Sequence, residues 1–167
     1  HAMTPEKIAQ LKTADECRGL MVNADRLGNA EVHRLAFQRL CVLAGEDEDT
    51  PLARDFAEVL AAYEELLTQK NGRKTRATRT RTKLKNKGLH QCLVDWSTAP
   101  ETTDGFKILA EKELGHFTGE YLVVKYAGEF DAKTVSAATA KLKKAGINLP
   151  EAEADAPADA NADAADT

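Results

Sequence analysis

Eight basic side chains and no acidic one lie between positions 73 and 87: Arg73, Lys74, Arg76, Arg79, Arg81, Lys83, Lys85 and Lys87. Like charges at this density repel one another, and an anionic partner offsets that cost. Arginine's planar fork and lysine's point charge both suit phosphate oxygens. Thr75, Thr78, Thr80 and Thr82 are interleaved with them and add hydroxyls that can hydrogen-bond phosphate. The chemistry written here is recognition of a nucleic-acid backbone, and these eight residues are the candidate nucleic-acid-binding site. DNA is favoured over RNA as the ligand.

Catalytic chemistry has no comparable signal. His33, His90 and His116 are scattered, and His90-Gln91-Cys92 lacks a second pair at metal-ligand spacing. No catalytic residue, metal ligand or cofactor is therefore expected. Asp55 with Glu58, and Glu64 with Glu65, read as solvated charge on the polar side of a helix rather than an acid–base pair. Asp95 is the one acid near the basic stretch, and an ion pair with a neighbouring base is its expected role. Gly72 and Gly88 flank the stretch without phosphate-loop spacing. Trp96 falls on an apolar stripe and is expected in the core rather than as a platform for bases.

Charge is segregated along the 167 residues. Residues 1–72 carry a net −5, residues 73–99 a net +7, residues 100–148 a net of zero and residues 149–167 a net −6. The overall −4 hides this arrangement. Distribution, not the average, points to an anionic ligand. Cys17, Cys41 and Cys92 are too widely spaced for a disulfide framework or a thiolate zinc site and read as reduced, buried residues. The longest strongly apolar run, Tyr121-Leu122-Val123-Val124, is far too short to span a bilayer, so a soluble, cytoplasmic protein with no membrane partner is expected.

The elements that must hold the basic stretch read as all-α: a helical bundle of about seven to eight short helices with a disordered acidic C-terminal tail. His1-Ala2 ahead of Met3 is set aside as a tag remnant. Residues 4–72 form an N-terminal bundle of four helices. Thr4-Pro5-Glu6 starts the first, with Ile8 and Leu11 on its apolar side. Thr13 with Glu16 makes a capping box before the stripe Cys17, Leu20, Met21, Ala24 and Leu27. The third runs from about Ala30 to Ala44, with Val32, Leu35, Ala36, Leu40, Leu43 and Ala44 on one face. Thr50-Pro51 opens the fourth, whose stripe runs from Leu52 and Phe56 through Leu60 to Leu67, and Asn71-Gly72 closes it.

The basic segment, residues 73–88, can be a helix, a strand or an arm that orders on phosphate; continuity with the stripe Leu89, Cys92, Leu93 and Trp96 favours a helix. On that helix Arg73, Arg76, Arg79, Lys83 and Lys87 share one broad face. Lys74, Arg81 and Lys85 lie opposite, and Ala77 and Leu84 form a thin apolar line. Residues 89–148 continue with helices around Phe106–Leu114, from Thr118 and from Asp131, although Tyr121 to Tyr126 also suits a strand. The Phe106 and Thr118 helices resemble a helix-turn-helix in outline, but Glu120 opposes phosphate, so two ordinary packed helices are expected.

The functional expectation is a non-enzymatic nucleic-acid-binding protein that grips phosphates. Its acidic tail, residues 149–167, either competes for the basic segment or serves as a solubilising extension. The rival is a helical interaction module whose basic segment docks an acidic partner, with a protein contact or self-association through the N-terminal bundle. A third reading is a nucleic-acid enzyme, or a subunit of one, whose carboxylates converge only in the fold.

Overall fold

Local capping bonds set the helix starts. Thr4, Thr13, Asn29 and Thr50 each accept a backbone N–H three residues on, and Thr13 and Glu16 close a reciprocal capping box. The helices that follow are α1 (Pro5–Ile8), α2 (Ala14–Arg26), α3 (Ala30–Gly45) and α4 (Pro51–Asn71). Proline at the start of α1 and α4 costs no hydrogen bond there. Gly72 ends α4 with φ +72°, a left-handed conformation that glycine takes without strain. The computed structural model describes residues 3–151, and all regular structure among them is helical. Nine α-helices and two short 3-10 turns are described, and no strand. They form two compact units that meet in sequence between Thr75 and Arg76.

In the first unit α3 packs against α1, α2 and α4. Ile8, Cys17, Phe37, Cys41 and Val59 are at most 1% exposed in its core. Gly45 permits the close approach of α3 to α4, because a Cβ there would stand 2.6 Å from the carbonyl oxygen of Arg54. The expected stripes of α1, α2 and α4 hold with one exception, Leu27, which is 71% exposed at the end of α2.

Two features differ from the sequence reading. The buried face of α3 is turned from the expected one and carries His33, Ala36, Phe37, Leu40 and Cys41, while Val32 and Leu43 are half-buried and Ala44 is exposed. His33 Nδ1 lies 2.7 Å from Asp25 Oδ1, but neither ring nitrogen has a hydrogen-bond partner among the described residues. Glu65, expected in solvent, is 4% exposed. Its carboxylate accepts a 3.0 Å hydrogen bond from Arg18 Nε on α2, which compensates the buried charge.

The second unit contains α5 (Thr78–Lys87), α6 (Leu89–Thr98), α7 (Asp104–Glu111), α8 (Gly119–Lys125) and α9 (Ala132–Lys144). Short 3-10 turns at Gly115–Phe117 and Ala127–Glu129 flank α8. Thr103, Thr118 and Asp131 cap α7, α8 and α9. Here α6 is the central element, packing against α5, α8 and α9. Tyr121 to Tyr126 is helical through Lys125, so the strand alternative is excluded there. Gly88, at φ +87°, separates the basic helix from α6. Ile108 of α7 is 37% exposed. The expected disordered tail lies, from Ala152 onward, outside the described residues.

Candidate nucleic-acid interface

The basic residues divide between two structural settings. Arg73 and Lys74 lie in the turn after α4, which is pinned back onto the helix end. The Thr75 amide donates to Thr68 Oγ1 at 3.0 Å, Asn71 Nδ2 donates to Thr75 Oγ1 at 3.1 Å, and the Thr75 hydroxyl donates to the Arg73 carbonyl at 2.8 Å. These bonds hold Arg73 and Lys74 on an ordered, exposed turn. Arg76 follows in the extended approach to α5, and the remaining five bases lie on α5 itself.

The packing of α5 on α6 decides which bases face outward. Thr80, Lys83 and Leu84 are half-buried, as is Ala77 just before the helix, so the thin apolar line marks the packed side. Lys83 Nζ donates to Asp95 Oδ2 at 2.7 Å, and Gln91 Nε2 donates to Asp95 Oδ1 at 2.8 Å. These bonds, the one from Lys83 foremost, hold the Asp95 carboxyl below the usual aspartate range. Asp95 thus takes the ion-pair role expected of it. Of the broad face expected to group Lys83 with Arg79 and Lys87, Arg79 and Lys87 are exposed and Lys83 is half-buried, drawn to Asp95 on α6.

Opposite the packed side, Thr78, Arg81, Thr82 and Lys85 recur at steps of three and four and are all exposed. Arg79, Lys87 and Arg76 are exposed beside that stripe or at its ends. The first turn of α5 has no side-chain cap and carries no acid. Arg79 and Arg81 there oppose the helix dipole, an arrangement that a bound anion relieves.

The other polar groups of this unit do not extend the stripe. Glu120 on α8 is 4% exposed, and burial raises its carboxyl above the ordinary glutamate range. Its Oε2 lies 3.8 Å from Lys141 Nζ, which donates to the Trp96 carbonyl at 2.7 Å. With Gly119, Glu120, Leu122 and Val123 buried and α8 packed on α6 and α9, this helix is a core element and not a recognition helix. The ring of Trp96 is half-buried against Gly119. His90 Nε2 lies 2.9 Å from Glu129 Oε1, so the histidine beginning α6 ties it to the turn after α8.

Burial pushes the thiols of Cys17, Cys92 and above all Cys41 upward, which keeps them protonated and poorly nucleophilic. Among the described residues no group of three or more His, Cys, Asp or Glu could hold a metal ion. No helix among them is long and apolar enough to cross a membrane. Sequence reasoning missed the buried carboxylates Glu65 and Glu120; the only available signal was their helical register beside Leu66 and Leu122, which their charge outweighed. No protein-family model, curated protein or solved structure matches the chain.

Proposed function

We propose that this protein binds nucleic acid through the phosphate backbone, with α5 as the grip. The observation that carries the reading is the outward stripe of α5, on which Arg81 and Lys85 alternate with Thr78 and Thr82 and no acid intervenes. Lys83 is drawn inward to the Asp95 carboxylate on α6. Arg73, Lys74 and Arg76 extend the positive charge along the chain before the helix. Contacts of this kind position a backbone without reading bases, so the binding is sequence-tolerant and sensitive to salt. DNA is the favoured ligand and the cytoplasm the favoured compartment, in keeping with three free, buried cysteines.

A protein partner is the second reading. It is supported by Val22 and Leu27, which are 67% and 71% exposed on or beside α2 in the first unit. In either case the acidic residues 149–167 compete for the basic segment or serve as a solubilising extension.

Titration of labelled DNA and RNA over a salt series tests the proposal. The expected result is a linear fall of log affinity with log salt, weakened at every salt by Arg79→Ala, Arg81→Ala and Lys85→Ala together. Unchanged affinity in a variant that melts like the parent protein would overturn it.

A further inference from the structure

We infer that the ligand of the α5 stripe is a duplex rather than a single strand, an inference that rests on the nucleic-acid reading and narrows it. Single strands are held by charge together with aromatic rings on which the bases stack. The chain has five phenylalanines, three tyrosines and one tryptophan, every one of them within the described residues and none exposed. Phe106, Phe117 and Tyr126 of the second unit are buried outright.

Its half-buried rings already have neighbours. The Cε3–Cζ3 edge of Trp96 lies so close to Gly119 that a Cβ there would stand 2.3 Å from Cε3. Phe130 packs on the His90 ring at 5.4 Å, and Tyr121 lies edge-on to His116 at 6.4 Å. Unstacked bases therefore find no exposed Phe, Tyr or Trp ring beside the basic helix.

Charge density points the same way. From Thr78 to Lys85 the stripe rises about 10 Å at about 1.5 Å per residue. A duplex presents one phosphate charge per about 1.7 Å of its axis, whereas one of its strands presents one per about 3.4 Å. A rigid row of cations and hydroxyls of that length thus meets about twice the charge on a duplex. It also needs no base exposed to make its contacts. The ligand class is a double-stranded nucleic acid held by its backbone. Duplex DNA and duplex RNA share that chemistry and form separate arms of the test.

The test measures binding of duplex DNA, duplex RNA and the corresponding single strands, matched in length, to the full chain across a salt series. Expected are an affinity for a duplex about tenfold or more above that for its strands and a steeper salt dependence. Arg81→Ala with Lys85→Ala is expected to lower the duplex slope by roughly 1.8, since each lost phosphate contact removes about 0.9. Lys133→Ala on α9, an exposed base outside the basic segment, should leave the slope unchanged. The fluorescence of the single tryptophan, Trp96, gives a reading independent of any variant, and duplex binding should leave it essentially unchanged. Equal or tighter binding of single strands, or their strong quenching of Trp96, would overturn the duplex inference and leave the nucleic-acid reading standing. Failure of every nucleic acid to bind would overturn both.

Discussion

Lys83 Nζ stands 2.7 Å from Asp95 Oδ2, so Asp95 neutralises one base of the basic helix and fastens α5 to α6. The same contact turns Arg81 and Lys85 to the opposite, exposed side. A pairing that looks like lost binding charge is what orients the rest.

Replacing Asp95 separates these two roles. Its carboxyl is depressed by the Lys83 hydrogen bond first and the Gln91 bond second. A depressed folded pKa gives stability that is present above the unfolded value of about 3.9 and lost as pH falls through the folded value. The two side chains are 37% and 33% exposed, which limits the pair to about 0.2–1 kcal/mol. Asp95→Asn is expected to lower the melting midpoint slightly at neutral pH and to flatten the acid limb of stability in pH-dependent melts. Freed from its counter-ion, Lys83 should raise affinity for nucleic acid severalfold at low salt in a binding titration.

Glu120 should act with the opposite sign. Burial raises its pKa, with its own backbone amide and Lys141 offsetting only part of the desolvation, and its Oε1 has no hydrogen-bond partner among the described residues. The folded state then holds the proton more tightly than the unfolded state. Stability should fall as pH rises from about 4.3, the unfolded value, through the raised folded value, and level off above it. Glu120→Gln, which cannot ionise, should remove this slope. Urea unfolding across that window checks it, and an unchanged slope would assign the pH dependence to another group.

Gly119 carries the closest packing in the second unit. A methyl group there would fall 2.3 Å from Trp96 Cε3 and 3.1 Å from Leu93 Cδ2, so α6 and α8 would have to move apart. Gly119→Ala is expected to cost about 1–3 kcal/mol through overpacking. Thermal melting and a change in Trp96 emission would report it; an unperturbed melt would mean that the ring has room to shift.

In the first unit, Leu60 is 6% exposed on the packed face of α4. Leu60→Ala should cost about 2–5 kcal/mol, the range for a truncated core leucine whose cavity only partly collapses. Urea unfolding followed by circular dichroism measures it. A loss below about 1 kcal/mol would show that the site relaxes around the missing methyls.

Helix starts and stops were legible in the residues because they depend on bonds across a few positions. Thr13 and Glu16 satisfy each other's backbone amides, Thr118 and Asp131 each reach three residues forward, and Gly72 ends α4 in a left-handed turn. The basic character of residues 73–87 was likewise a matter of composition alone. What the tertiary structure decided was orientation. Turning a helix about its axis leaves its internal hydrogen bonds intact, so the chain's local preferences could not choose the buried face of α3 or the outward stripe of α5. Packing on α6 made that choice for α5, and the partners Arg18 and Lys141, distant in sequence, permitted Glu65 and Glu120 to be buried. A charge can leave water only where a compensating group arrives from elsewhere in the chain, and that meeting exists only once the fold has formed.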